Sequence, residues 1–483
     1  MFWTCMFAMM AKAQPNLAFY PLEDQFNSFD YNPAFLSSRE KFTFSIFPLA
    51  GVSVGFNNQG VIRDLASKFM GGVITNEDYK NAFDNMVDQS SFQQSVEASL
   101  LSFTYRSNSG FFNFRIKDSE YFVAKVQGDI TQFIFKSDIR SAAIEHIQSL
   151  PAQSAHYREY SLGYSFKSRN NRLTAGIRAK LLFGKFAFFS NMQGSIQEDM
   201  NSPGDFVLKT SGLLDISFIE NTIKNPNDST NVIDFSDSKT VVDYIFNTGN
   251  PGVGIDLGFQ YQVSPALSVS MSVIDLGKIN WKSNLNSRSL EKEYPLPYST
   301  YGIDDTEGGQ IITKRENYMY SDSFDFSKLT RQRAPFSKPL PTSFYAGLKY
   351  QVTPDLSFSI TDRYRLIKDL GYNHMSLTAN VDVTEKLSVS TGYAAMSDAY
   401  LNIPLALLYQ GEFGQIFLGT DNLTSIFFPT ATQFAGISFG ACFFLFKERK
   451  LHGNPSEQTP FYRPRKIIKN PKSGLIIRND PKR

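Results

Sequence analysis

Strict alternation of apolar and polar positions is the dominant pattern in this chain. From Gly252 to Val263 the odd positions are apolar (Val253, Ile255, Leu257, Phe259, Tyr261, Val263), and the even ones are Gly, Asp or Gln. Leu173, Ala175, Ile177, Ala179, Leu181 and Phe183 form a second such face, opposite Arg172, Thr174, Gly176, Arg178 and Lys180. Phe42 to Phe56 repeats the pattern, and Leu267, Val269, Met271 and Val273 alternate with serines. A period of two marks strands with one apolar and one polar face. Similar runs begin near residues 42, 97, 111, 157, 171, 186, 205, 252, 266, 342, 355, 372, 386, 400, 414 and 432. Many span roughly 10–14 residues, against the ~5–6 usual in soluble sheets and the ~9–11 that a tilted membrane strand needs.

Connection lengths separate a membrane barrel from a soluble sandwich. Val263–Ala266, Val352–Asp355, Val383–Lys386 and Gln410–Gly414 are tight, whereas Lys278–Pro341, Leu366–Tyr372 and Met396–Leu401 read as longer. Outer-membrane barrels show this parity, with short periplasmic turns and longer extracellular loops. The segment Gly258–Ser270 also resembles Gly347–Ser359, which suggests a repeated hairpin unit. Gln59–Phe92 breaks the alternation, and Val61, Ile62, Leu65, Phe69, Tyr79, Phe83, Met86 and Val87 recur at helical spacing. Two short amphipathic helices are expected there, covering the lumen or gating it. Asp118–Ile147 reads as a second mixed region, and the carboxylates Asp304, Asp305, Glu307, Asp322 and Asp325 as a solvated loop without calcium-loop spacing.

Composition narrows the class further. The 483 residues include 45 Phe and 23 Tyr but only 19% charged residues, which favours β-structure over a helical bundle or disorder. No apolar run reaches the ~18 residues of a membrane helix. Formal net charge is +2 and suggests no nucleic-acid partner. The tail 447–483 holds 11 Lys and Arg against 3 acids, a charge of +8, which leaves −6 for residues 1–446. Arg463, Arg465, Lys466, Lys469 and Lys472 concentrate that charge in an extended basic tail, which reads either as a solvated extension or as an arm that docks a periplasmic partner. Phe2–Met10 followed by Ala11-Lys12-Ala13 reads as a secretory signal with an A-x-A cleavage site. Cleavage would leave Cys442 as the one thiol, so no disulfide framework is expected. The four histidines are scattered, and no catalytic, metal or cofactor motif emerges.

The last strand alternates Ala435, Ile437, Phe439, Ala441, Phe443 and Leu445 with Gly436, Ser438, Gly440 and Cys442. It ends in Phe443, Phe444 and Phe446, which read as an insertion signal, with Cys442 facing the lumen. Leu257, Phe259, Leu267 and Val269 are expected to face lipid. Arg172, Arg178, Lys180, Asp256 and Gln260 are expected to face the lumen, because a cation toward lipid at the midplane costs about 2–4 kcal/mol.

Asn32-Pro33-Ala34, shortly after the signal, resembles the N-terminal hatch motif of FadL-like transporter barrels. Gly252 to Gly258, followed by Leu276-Gly277 and Trp281, resembles the PorV and PorP branch of that superfamily, in which a G-x-D-x-G strand precedes a strand end bearing Leu-Gly and a Trp. The resemblance covers residues 30–446 and implies 14 strands, so one or two short runs, near 111 or 414, would be hatch or loop segments.

The expected architecture is an all-β, transmembrane antiparallel barrel of about 14 (14–16) strands, with an N-terminal hatch and short helices in its loops. Its segments are a signal peptide (1–13), hatch (14–41), barrel (42–446) and basic periplasmic tail (447–483). The resemblance to PorV and PorP implies an outer-membrane scaffold or accessory subunit for protein export or surface assembly. The FadL resemblance implies the alternative, a passive channel for hydrophobic or small solutes. Either form is non-enzymatic, needs no cofactor and has outer-membrane lipid as a partner; the scaffold reading adds a periplasmic or surface protein.

Overall fold

The structure is a computed structural model that describes residues 17–35, 41–58, 89–107, 110–127, 144–147, 152–198, 206–218, 222–224, 231–233, 238–296, 330–368, 370–396, 399–427, 432 and 434–445. The signal segment, the amphipathic run 59–88, the acidic cluster 304–325, Phe446 and the basic tail lie outside the described residues.

The strands form one closed antiparallel barrel of 14. Several are interrupted along their length. They are β1 (Phe42–Ile46 and Val52–Asn58), β2 (Gln89–Arg106), β3 (Phe111–Gln127), β4 (Ile144–Ile147 and Ala152–Lys167) and β5 (Leu173–Glu198). Then follow β6 (Phe206–Ser217 and Pro251–Gln262), β7 (Leu267–Trp281 and Ser287–Leu296) and β8 (Thr330–Gln332, Phe336–Pro339 and Thr342–Thr353). β9 (Leu356–Ile367), β10 (Leu370–Asp382), β11 (Leu387–Met396), β12 (Ala399–Asn402 and Leu405–Gln410), β13 (Gly414–Thr420) and β14 (Phe434–Leu445) complete the wall. β14 closes on β1 through Phe42–Leu445 and Phe44–Phe443, and again through Val52–Phe439 to Asn57–Phe434.

The number differs from the sixteen runs of the alternation for a physical reason. The runs near 171 and 186 are one strand, β5, in which a bulge opposite His156 and Tyr157 shifts the facing pattern between Gly184 and Phe186. Those near 205 and 252 are two parts of β6, since the upper half of β5 pairs with Phe206–Ser217 and its lower half with Pro251–Tyr261. The runs near 111 and 414, expected as hatch or loop, are wall strands. Asp118–Gln127, read as a mixed region, continues β3, and Ser287–Leu296 carries β7 into the segment read as a long loop. Within the insertion between the two halves of β6 lie a small hairpin (Thr222–Lys224 with Asn231–Ile233) and helix α1 (Ser238–Ile245).

The barrel is inverted relative to a soluble core. Ile177, Leu181, Val253, Leu257, Phe259, Met271, Ile360, Leu377, Leu418, Phe439 and Phe443 are exposed on the outer face, whereas Arg178, Lys180, Asp256 and Ser438 are buried inside. Leu267 and Val269 lie half-buried on that outer face. Water would penalise such a surface at about 25 cal/mol per Å² of apolar area, while a bilayer accepts it. Among the described residues no helix is long and apolar enough to cross a membrane.

The tight connections gather at one end, where Phe42 and Leu445 meet, here the turn end. Gln262 donates to the Ser264 carbonyl (2.7 Å), and Gln351 donates to that of Thr353 (2.7 Å). The sequence similarity of the two hairpins is thus a shared turn device. At the opposite, loop end, two connections expected to be longer are short: β9 stops at Ile367 and β10 starts at Leu370, and β11 stops at Met396 before β12 starts at Ala399. Lys368 (φ 54°) takes the left-handed conformation that primed hairpin turns use.

Candidate functional site: the filled lumen

Residues 17–35 have no strand partner and fold inside the turn half of the lumen as linked turns, including the short 3₁₀ segments Leu17–Phe19 and Ser28–Asp30. Leu17, Phe19, Tyr20, Phe26, Phe29 and Phe35 are almost wholly buried. Phe19 meets Phe417 edge-on (5.1 Å between centroids), and Tyr20 stacks on Tyr345 (5.5 Å). Polar ties run to three sides of the wall. Gln415 of β13 accepts from the Phe26 N–H (2.7 Å) and donates to the Asp24 carbonyl (2.8 Å). Gln260 of β6 donates to Glu23 (2.7 Å), and Lys349 of β8 donates to the Pro21 carbonyl (2.9 Å). Asp421, just past β13, accepts from the Leu17 N–H (3.0 Å); burial pushes its carboxyl up to about 7, against the opposing influence of Arg363 and that N–H.

Asn32-Pro33-Ala34 is seated on the wall. The Asn32 amide donates to the Phe259 carbonyl (3.2 Å) and the Met271 carbonyl (3.3 Å), while its oxygen accepts from the Ala34 N–H (2.9 Å). Ser272 donates to the Tyr31 carbonyl (2.6 Å), and Ser165 donates to that of Pro33. Gly176 and Gly258 are register partners on β5 and β6. A Cβ on the first would overlap the Pro33 carbonyl oxygen, and on the second the Asn32 side chain. Both strands need glycine there for the hatch to approach.

Above the seat lies a layer of buried charge. Arg178 donates through Nη1 to Asp30 of the hatch (2.8 Å) and through Nε to Asp256 (2.6 Å), and Arg115 also pairs with Asp30. Lys180 lies 2.9 Å from Asp256 and 3.2 Å from Glu159, and bonds Asp275; Lys117 lies 3.2 Å from Glu97. The Phe29 ring sits under Arg115 (5.8 Å) and Arg178 (5.4 Å). A cavity of about 50 Å³ remains between hatch and wall, lined by Asp30, Glu97, Arg115, Lys117, Asp275 and Arg365. That volume holds a few water molecules.

Nearer the loop end the lumen carries an apolar cluster. Tyr121, Tyr157, Leu182, Phe189, Ile279, Trp281, Leu340 and Tyr372 form one buried cluster of inward-facing side chains. Trp281 stacks on Phe336 (6.1 Å) and fills the space left open by Gly184. Hatch, charge and aromatic layer therefore follow one another along the axis.

The residues expected at the lumen are distributed as follows. Arg178, Lys180 and Asp256 are joined in the charge layer, and Gln260 holds the hatch. Arg172 instead lies exposed in the turn before β5, because the strand begins only at Leu173. Phe443 faces outward, Phe444 packs inward against the hatch cluster, and Cys442 is buried in that cluster. Sequence reasoning missed Asp30, Glu97, Arg115, Lys117, Glu159 and Asp275. Arg115 and Lys117 alternate with Phe112, Phe114 and Ile116, so their luminal side was available in the pattern.

Fold and lumen together define an integral membrane β-barrel that packs its own N-terminal segment inside the lumen. Residues 33–421 match a family of unknown function, DUF5723, and the chain belongs to that family. No curated protein matches it. Among solved structures it is similar to the toluene transporter TodX of P. putida, at 10% identity over 86% of this chain and 93% of that one, with a TM-score of 0.37. It is likewise similar to the toluene transporter TbuX of Ralstonia pickettii, at 10% identity over 85% and 90%, TM-score 0.36. A third is the CymD monoaromatic hydrocarbon channel, at 9% identity over 85% and 90%, TM-score 0.35.

Proposed function

We propose that the protein is a passive channel of the bacterial outer membrane for small apolar solutes, closed in this conformation by its hatch. The aromatic layer around Trp281 and Tyr157 carries this reading. A water-filled pore has a polar interior, whereas this lumen carries a cluster of apolar and aromatic side chains on its loop side. The hatch below it carries no strand pairing to the wall and is held by side-chain hydrogen bonds, ion pairs and aromatic packing, so a limited shift opens a path. Reconstituted wild-type barrel should admit a small aromatic solute faster than a sugar of similar size, and Asp30→Asn should accelerate both. Equal, background-level entry of both solutes in both proteins would refute the channel.

The second reading is a scaffold or accessory subunit in protein export or surface assembly, the role implied by the PorV and PorP resemblance. The basic tail 447–483 favours it. In that case the tail, with Arg463, Arg465, Lys466, Lys469 and Lys472, would bind a periplasmic protein, and co-purification from solubilised membranes would recover a stoichiometric partner.

A further inference from the structure

Asp362 lies near the middle of β9, and its side chain shares the outer face with Phe358, Ile360, Tyr364 and Leu366. Its register partners are Ala346 on β8 and Met375 on β10. The carboxylate is thus flanked by apolar side chains along and across the strands, within the band that faces lipid. Its Oδ1 is buried and has no hydrogen-bond partner. Another outward carboxylate, Asp118 on β3, is treated differently by the fold. Its cross-strand partner Arg158 donates to both its oxygens at 2.7 Å. Beside Asp362 the outer wall is indented by a groove of about 310 Å³, lined by Leu257, Phe259, Met271, Phe344, Ala346 and Tyr364. The small side chain of Ala346 leaves the carboxylate accessible from the groove.

An ionisable group in the hydrocarbon region is costly, and such groups characteristically face a partner. Lipid tails offer no donor to Asp362, and headgroups lie at the edges of the band. We propose that this groove is a docking surface for the membrane-embedded wall of another protein, which inserts a lysine or arginine side chain and pairs it with Asp362. The groove accommodates the aliphatic stem of such a side chain, and the carboxylate takes its charged end. This surface is independent of the lumen and holds whether or not the barrel conducts.

The test uses the full-length barrel in phosphatidylcholine vesicles with a labelled hydrophobic transmembrane peptide carrying one central lysine. The control peptide has norleucine at that position. Energy transfer from labelled barrel to peptide should show at least ten-fold tighter association of the lysine peptide with wild type. Asp362→Asn and Asp362→Leu should both bring it down to the norleucine level, with heat-modifiable gel mobility showing that the variants remain folded. Equal association of the two peptides with wild type would overturn the proposal. So would a lysine preference that survives both substitutions. Loss of barrel self-association in the variants, without a lysine preference in wild type, would assign the groove to a second copy and also overturn it.

Discussion

Gly176 and Gly258 stand opposite each other on adjacent strands, and the hatch rests its Asn32-Pro33 backbone on the pair. Replacing Gly258 by Ala should lift this segment and cost about 1–3 kcal/mol, the usual penalty for overpacking. Gly176→Ala meets backbone and should cost at least as much. Gly254→Ala is the control, since its Cβ would meet nothing closer than 3.5 Å. Limited proteolysis of the folded barrels should cut residues 17–41 faster in the first two variants and not in the third.

Asp30→Asn should weaken closure more than loss of an exposed pair would. It leaves Arg115 and Arg178 facing an uncharged partner in a buried setting, where breaking a pair costs about 3–5 kcal/mol. Planar-bilayer recordings should show more frequent opening of the variant, together with a lower urea midpoint. Unchanged recordings and an unchanged midpoint would remove Asp30 from the closure.

The hatch should respond to pH through Asp421. Its folded-state value of about 7 lies above the ordinary 3.8, so in that window the folded chain holds a proton that the unfolded chain has lost. Stability therefore falls as pH rises from about 4 to about 7 and levels off above. Asp421→Asn keeps an acceptor for the Leu17 N–H and should flatten this contribution in urea titrations at several pH values.

Truncation before Phe443 deletes the pairs Phe44–Phe443, Thr43–Phe444 and Phe42–Leu445, and so opens the seam at the turn end. The assembled fraction on unheated gels should fall sharply. Phe446→Ala should lower it to a lesser degree. Deletion of 450–483 should leave assembly intact and abolish any salt-sensitive binding of a periplasmic partner, since such contacts are screened over about 8–10 Å.

Trp281→Ala should cost about 3–5 kcal/mol, as large aromatic truncations do, and should lower the preference of entry for aromatic solutes over sugars. An unaltered preference would detach the aromatic layer from selectivity.

The wall was legible because each strand faces two different media, and Phe259 against Gln260 is enough to set a register. The pattern misled where the backbone changes phase. At the β5 bulge the outward positions pass from Phe183 to Phe186, so one strand read as two. Tight loop-end hairpins were hidden because Lys368 is not a residue that announces a left-handed turn. The lumen was legible only in part. The alternation puts Arg178 and Asp256 on one side of their strands, yet nothing local tells that Arg178 also meets Asp30, 148 residues earlier, or that Asp421 receives Leu17.

The wall is not of even height. With β5 at 26 residues, a rise of about 3.3 Å per residue and a tilt near 40° carry it some 65 Å along the axis. The 7 residues of β13 climb only about 18 Å by the same geometry, less than the ~30 Å of hydrocarbon. One flank of the barrel is a parapet standing well clear of the bilayer, and the opposite flank is a sill. A molecule reaching the barrel from outside therefore meets a shielded side and an approachable one, and its direction of arrival decides which surface it encounters first.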